Sequence, residues 1–306
     1  MDLRLLELFL RVAELGSINK AAAHLQMPQP TLSRHIAALE HEMSSPLFMR
    51  GQGGVQLTEA GQLLADRVRP LLRQFSILKE QVGEKAAGQL AIGTPPAWKH
   101  LFTSPFVERL TTEQPGIALR VYEGLSNVLR ESMFSGLLDI AVVPFDTLPP
   151  LGYSQTSLVR EPIVVAGRGG GALRPQVPVN IQWLDGQKMV LAARPNALRV
   201  QVENALERKG LKLRLAVETD TQSLCLEFAR RGVGLAAVPA SSLHGPGNGD
   251  GLCWAPLKGQ FVTWALCENM ARAHSQPVRE GRRLAIDTVS QALDLNSWFG
   301  AERAVV

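Results

Sequence analysis

The sequence predicts two architectures in one chain. An all-α winged helix-turn-helix with a long linker helix comes first, followed by an α/β part made of two Rossmann-like subdomains. Three observations carry this reading. Apolar residues recur at helical spacing near the N-terminus, a heptad-like seam follows, and beyond Gly88 short apolar runs alternate with helical segments. The chain has 306 residues, more than one ordinary core accommodates. Its 45% apolar and 20% charged residues are the balance of a globular protein, not of a disordered or fibrous one.

The first element follows from Leu5, Leu6, Phe9, Val12 and Ala13, an amphipathic helix stopped by Gly16. Ser17 is placed to cap a short second helix, whose Ala21-Ala22-Ala23 run lets a neighbour approach closely. Gln26-Met27-Pro28 breaks it, and a third helix begins near Pro30. Leu32, Ile36 and Leu39 of that helix point inward, while Gln29, Pro30, Ser33, Arg34 and Ala37 occupy the other face.

Two short helices joined by a tight turn make a helix-turn-helix. Such a second helix fits the DNA major groove, where Arg34 can pair with guanine and Gln29 with adenine. The Thr31 and Ser33 hydroxyls suit phosphate oxygens. The same face serves as the solvated side of an ordinary three-helix core, and on these residues alone the two readings stand level.

Pro46–Arg50 and Val55–Thr58, on either side of Gly51-Gln52-Gly53-Gly54, read as a small hairpin beside the helices, a wing. At this point the sequence resembles the LysR-type transcriptional regulators. The resemblance rests on Phe9, Ala21-Ala22, Leu25, Gln29-Pro30, Leu32-Ser33-Arg34, Ile36, Leu39-Glu40, Leu47-Phe48, Arg50, Leu57-Thr58 and Ala60-Gly61, in the family's order and spacing. It implies a DNA-binding domain over 1–58 that touches DNA through Gln29, Pro30, Thr31, Ser33, Arg34, Arg50 and Gln52. Three positions depart from the family pattern: Pro28 replaces its usual Ser, Ser44 its Gly, and Gly53 a frequent basic residue at the wing tip. The last shifts the expected contact energy onto Arg34, Arg50 and the hydroxyls.

Residues 59–87 form the expected linker helix. Leu64, Val68, Leu71, Phe75, Leu78 and Val82 follow at alternating intervals of four and three, a heptad seam. A helix of roughly 40 Å cannot hide both faces within its own chain. An antiparallel copy from a second subunit is therefore expected, in preference to packing on its own domain. Pro70 removes one intrahelical bond, so a bend is expected around Asp66–Pro70. A two-fold dimer reads two half-sites, so the expected partner is double-stranded DNA carrying an interrupted palindrome.

Residues 88–306 read as an α/β domain, with Gly83–Gly88 as a hinge-like stretch before it. Expected strands are Leu90–Ile92, Ile117–Tyr122, Leu138–Val143, Ile163–Ala166, Met189–Ala192, Leu213–Val217 and Gly234–Val238. Expected helices are Trp98–Glu113, Val128–Ser135, Ala197–Lys209 and Gln222–Arg231. The strand number calls for two subdomains. The family resemblance continues here through Glu123-Gly124, Ser126, Gly136, Leu138-Asp139-Ile140-Ala141, Gly232, Gly234, Ala236 and Pro239. It implies an effector-binding domain like a type 2 periplasmic binding protein, crossed twice by the chain, near Val159–Ile163 and Leu266–Met270. Subdomain I would then hold 88–161 and 268–306, and subdomain II 162–267. A tail helix with Leu284, Ile286, Val289 and Leu293 would return to subdomain I.

Ligands of such sheets bind beyond the carboxyl ends of the strands, at helix starts. The expected effector residues are Thr94, Pro96, Trp98, Ser126, Asn127, Arg194, Arg199, Thr219 and Thr221. Their hydroxyls and arginines favour a small carboxylate or similar anion. Each hydroxyl taken alone reads more readily as a simple helix cap, and the expectation rests on their convergence.

Other signals exclude other functions. Cys225, Cys253 and Cys267 form no Cys-x-x-Cys pair, which excludes a disulfide scaffold and a zinc finger. The six histidines share no metal-ligand spacing, and no cofactor or metal is expected. Gly167-Arg168-Gly169-Gly170-Gly171 lacks the Gly-Lys-Ser/Thr ending of a phosphate loop. Asp139 reads as a turn cap, and no nucleophile or acid–base set assembles, so an enzyme is not expected. The net charge of +4 divides into +1 over residues 1–87 and +3 beyond, too even to prove a nucleic-acid partner by itself.

No apolar run approaches the roughly 18 residues of a membrane span, and the start Met1-Asp2-Leu3-Arg4 does not resemble a signal peptide. No membrane partner is expected, and the location expected is cytoplasmic. The competing class, a solute-binding protein or enzyme with helices that only oligomerise, lacks both an export signal and a catalytic set. The family implies a homodimer through the linker helix and a homotetramer, with RNA polymerase as a further candidate partner.

Overall fold

The computed structural model describes residues 2–51, 54–82, 88–247 and 249–304; within these, the side chains of 50, 70, 73, 74 and 76–82 are not described. The chain divides into two compact units, Met1–Glu84 and Lys85–Val306.

The first unit is built on α1 (Leu3–Leu15), α2 (Ile18–His24), α3 (Gln29–Glu42), the hairpin β1 (Phe48–Gly51) and β2 (Gly54–Leu57), and α4 (Glu59–Val82). Local chemistry sets the helix ends. Asp2 accepts the Arg4 N–H at 2.9 Å, and Gly16 closes α1 with φ +61°. Ser17 caps α2 through the Lys20 N–H. Pro28 precedes α3 and offers no side-chain cap, so the departure from the family's Ser leaves that end without a hydroxyl acceptor.

Phe9, Val12, Ala21, Leu32, Leu39 and Leu47 close one core, with the Phe9 and Phe48 rings 5.3 Å apart. Glu40 ties α3 to the hairpin by accepting the Leu47 N–H at 2.7 Å and the Phe48 N–H at 3.1 Å. Gly54 is needed where the hairpin meets α1. A Cβ there would lie 2.2 Å from the Gly16 carbonyl oxygen, while the Val55 N–H donates to that same oxygen at 2.9 Å.

The first half of the expected linker seam is used inside this unit. Val68 is 1% exposed and belongs to the core, and Leu64 packs against it, so neither is left for a partner. Leu71 is 51% exposed, Leu63 is 61% exposed and Phe75 is half-buried. The side chains of Leu78 and Val82 lie outside the described residues, as do Gln52 and the stretch 83–87. α4 is helical without interruption from Glu59 to Val82.

The second unit contains a nine-stranded mixed sheet. Its strands are β3 (Gln89–Thr94), β4 (Ala118–Glu123), β5 (Ile140–Pro144), β6 (Tyr153–Arg168), β7 (Lys188–Ala192), β8 (Arg214–Thr219), β9 (Leu235–Pro239), β10 (Leu252–Asn269) and β11 (Glu302–Arg303). Their order is β4-β3-β5-β10-β6-β9-β7-β8, with β11 on β6. The helices are α5 (Ser104–Glu113), α6 (Ser126–Phe134), α7 (Ala197–Glu207), α8 (Gln222–Arg230) and α9 (Gln276–Asp294).

α5 and α9 cover one face of the β3, β4, β5 end and α6 the other; α7 and α8 do the same for β7, β8, β9. Both ends are parallel, and they are joined by the antiparallel pair β6 and β10. Asp139 does more than cap a turn. It accepts the Ala91 N–H at 2.8 Å and pairs with Arg272 at 3.2 Å, both side chains being 1% exposed.

Three expectations need correction. The helix expected from Trp98 to Glu113 begins as a 3-10 turn at Pro96–Trp98 and a π-type turn at Lys99–Thr103, and becomes α-helical only at Ser104. Prolines at 95, 96 and 105 withhold donors from its first turns. The strand expected at Ile163–Ala166 is 16 residues long, its first half hidden in the sequence by Ser154, Gln155, Thr156 and Ser157. The second crossing, expected at Leu266–Met270, comes earlier. Phe261 faces Pro162, Trp264 faces both Val159 and Pro144, and Leu266 already pairs with Val142.

Ser44 lies at φ +52°, where side chains crowd the following carbonyl and glycine does not. Ser44→Gly is expected to raise the stability of the first unit by about 1 kcal/mol. Chemical denaturation of the full chain, followed by a probe on that unit, measures it.

Candidate functional site

Two sites emerge, one in each unit. In the first, α3 presents Gln29, Pro30 and Arg34 to solvent, with Thr31 and Ser33 half-buried beside them. The opposite face is fixed by Leu32, Ile36 and Leu39, all under 5% exposed, so the polar face cannot rotate inward. Gln29 Nε2 donates to Ser33 Oγ at 2.8 Å, which orients the amide along the helix. Among the described residues Arg34 makes no hydrogen bond or ion pair, leaving a free guanidinium fork on the exposed ridge. The backbone of Arg50 is in β1, but its side chain and all of Gln52 lie outside the described residues.

In the second unit a small cleft of about 50 Å³, partly open to solvent, lies between the two ends of the sheet. Pro95, Pro96, Leu125, Ser126 and Pro144 form one wall. Leu191, Ala192, Asn196, Leu198, Arg199, Gln222, Cys225, Ala237, Val238 and Pro239 form the other, with Val262 and Trp264 from the crossing strand at the joint. Three helix starts therefore contribute: Ser126 opens α6, Asn196 caps α7, and Gln222 opens α8. Ser126 Oγ accepts the Ala197 N–H across the cleft at 3.3 Å. Aligned peptide dipoles put partial positive charge at all three starts.

The arginines behave differently from expectation. Arg199, 6% exposed, donates to Glu203 at 2.9 Å, to Glu218 at 2.7 Å and to the Ala192 carbonyl at 3.1 Å. Burial works against its charge, but the bonds to Glu218 and Glu203 hold the guanidinium pKa above its ordinary range. Arg194 is mostly exposed, pairs with Glu203 at 2.8 Å, and does not line the cleft. The two cations are thus matched by two carboxylates. The pairing of Arg199 with Glu203 was readable as an i,i+4 spacing; that with Glu218 needed the fold.

Of the other expected residues, Pro96 and Ser126 line the cleft, but Thr94, Trp98, Asn127, Thr219 and Thr221 do not. Thr94 is fully buried behind Pro95, and its hydroxyl has no hydrogen-bond partner among the described residues. Trp98 is also fully buried, with ring centroids 5.5 Å from Trp264 and 4.8 Å from Trp298. Asn127 is half-buried one residue beyond the wall. The Thr219 hydroxyl accepts the Thr221 N–H at 3.3 Å, and Thr221 is exposed.

Sequence reading missed Asn196, whose carbonyl oxygen accepts the Arg199 N–H and whose capping signal was present. It also missed Val262 and Trp264, because β10 itself went unrecognised around Pro256. Burial pushes the Cys225 thiol up to about 11, so it stays protonated at neutral pH.

A helix-turn-helix with a wing, joined in one chain to a cleft-bearing α/β unit, defines a DNA-binding protein that carries its own small-molecule domain. Two family models match: the bacterial regulatory helix-turn-helix protein, lysR family, over residues 3–62, and the LysR substrate binding domain over residues 83–288. The chain belongs to the LysR family of DNA-binding transcriptional regulators.

Its relatives include the nitrogen assimilation regulatory protein nac of Escherichia coli (strain K12), 29% identical over 81% of this chain and 83% of that one. They also include the HTH-type transcriptional regulator BbuR of Bordetella bronchiseptica, 29% identical over 91% of this chain and 87% of that one. The full-length regulator CbnR, solved in complex with its target DNA, shares the fold with a TM-score of 0.64 and 19% identity, covering 95% of this chain and all of that one. Among the described residues no helix is long and apolar enough to cross a membrane.

The Arg199 cluster predicts its own weight in stability. Arg199→Met strands Glu203, 7% exposed, with Arg194 alone, and is expected to cost about 3 kcal/mol in chemical denaturation. The effect should fall on the second unit and leave the first unit's transition in place.

Proposed function

We propose that the chain reads an interrupted palindrome through paired copies of α3 and answers a small effector bound in the cleft of its second unit. The observation that carries the DNA part is the fixed polar ridge of α3. Leu32, Ile36 and Leu39 hold it outward, and Arg34 stands free on it. Arg34 pairs with a guanine edge and Gln29 with a neighbouring base, while Thr31, Ser33 and the Arg50 and Gln52 positions of the wing meet the backbone. Pro30 shapes the start of the ridge.

α4 brings two copies together. Its exposed Leu71 and half-buried Phe75 begin the seam that Leu78 and Val82 continue, so the dimer contact lies in the second half of the helix. Assembly of two such dimers gives the tetramer, and RNA polymerase is the further partner through which occupancy of the site changes transcription.

The effector is a small, largely apolar molecule with one anionic group, most simply a carboxylate. The starts of α6, α7 and α8 supply its polar contacts, and the matched charges of Arg199 and Arg194 supply no net attraction. Such a ligand competes with Ser126 for the Ala197 N–H, and so changes the distance between the cleft walls.

Selection of bound sites from random duplexes tests the DNA reading. An inverted repeat is expected. Arg34→Ala should cost about 1–3 kcal/mol on that site and relax preference at one base pair in each half. A variant that keeps the parent's affinity and base preference on the selected site would overturn Arg34 as a base reader. For the effector, thermal shift against matched pairs of carboxylates and their amides decides the charge: stabilisation by amides alone removes the anion from the proposal.

A further inference from the structure

One carboxylate stands apart from every surface ion pair. Glu161 is fully buried at the crossing between the two ends of the sheet, and each of its oxygens accepts two donors. Oε1 accepts Trp264 Nε1 at 2.6 Å and Ser241 Oγ at 2.9 Å; Oε2 accepts the Ser241 N–H at 2.8 Å and Trp298 Nε1 at 3.0 Å. All four donors are neutral. Burial pushes the carboxyl up, and the bonds from Trp298, Ser241 and Trp264 work against that rise.

The donors come from separate parts of the chain. Ser241 follows β9 at the far end of the sheet, Trp264 sits on the crossing strand β10 and lines the cleft, and Trp298 belongs to the segment after α9. That segment lies across the joint. The Phe299 ring meets Trp254 edge-on at 4.8 Å, Gly300 sits against Pro162, and β11 pairs with Val159 and Arg160 of β6. On the outer face Glu302 pairs with Arg160, whose guanidinium lies 3.7 Å over the Phe261 ring.

We propose that Glu161 is a positioning residue that latches the two subdomains at their crossing, with the 297–303 segment as a strap held down by the Trp298–Glu161 bond. A buried carboxyl held by four placed donors is an exacting joint, because any relative movement of the subdomains must lengthen at least one of the four bonds. Trp264 gives the latch a route to the cleft: whatever presses on its ring also bears on a bond to Glu161. The latch itself requires no ligand and does not depend on the identity of the effector.

Hydrogen–deuterium exchange on the purified full chain tests it without effector. Trp298→Phe keeps the ring in the aromatic cluster and removes one donor. Glu161→Gln sets an amide N–H2 against two of the donors. Both variants should speed exchange in peptides spanning Val159–Ile163, Phe261–Trp264 and the 297–303 strap by about tenfold, the Gln variant more than the Phe variant, with β3 and β7 changing less than about twofold. Two results would overturn the latch: unchanged exchange at the crossing in Trp298→Phe, or an equal rise in β3 and β7 that marks a general loss of core packing. If Glu161→Gln fails to fold, exchange in Trp298→Phe alone decides.

Discussion

The second unit depends on one constraint: two long strands, β6 and β10, run antiparallel through the whole sheet and belong to both of its ends. Leu158 and Val159 pack into one core, and four residues later Ile163 packs into the other. The cleft exists because parallel strands on either side must point their carboxyl ends toward this shared pair, which brings three helix starts to one place. Because the connection is two hydrogen-bonded strands and not two loops, the ends of the sheet can twist against one another but cannot drift apart. A register irregularity between Pro256 and Phe261 interrupts the β6–β10 pairing where the two strands pass from one end of the sheet to the other.

The first unit was legible almost element by element, and the reason is local. Its stops are chemical signals within a few residues of the helices they end, such as Gly16 and Ser17, and its core residues fall at strict helical spacing. The linker helix shows the limit of that reading. A heptad seam records that a face is apolar, not what covers it, and Val68 turned inward to the unit's own core while Leu71 did not. The strands β6 and β10 were half hidden for a related reason. Polar residues such as Ser154 and Gln155, and a proline at 256, sit in strands whose pairing is decided by partners far away in sequence, Gln155 facing Cys267 and Pro256 facing Val164.

The cleft was legible in location and not in charge. Loops beyond strand ends led to Pro96, Ser126 and Arg199, all of which line it. The same reasoning took Arg199 and Arg194 as open cations, when Glu203 and Glu218 already occupy them. Glu203 follows Arg199 by one helical turn and could have been read; Glu218 comes from the neighbouring strand and could not. Of the expected hydroxyls, only Ser126 lines the cleft among the described residues. Thr94 and Thr219 end the strands β3 and β8, and Thr221 stands just before α8, each beside the cleft lining and not in it.

Glu40 has a mechanical consequence. By accepting two consecutive backbone N–H groups at the base of the hairpin, it welds β1 to the last turn of α3. The base of the hairpin therefore moves with α3 and has no hinge of its own. The exposed residues of α3 can then be exchanged without unseating β1, because the tie runs through the Glu40 carboxylate and two backbone groups.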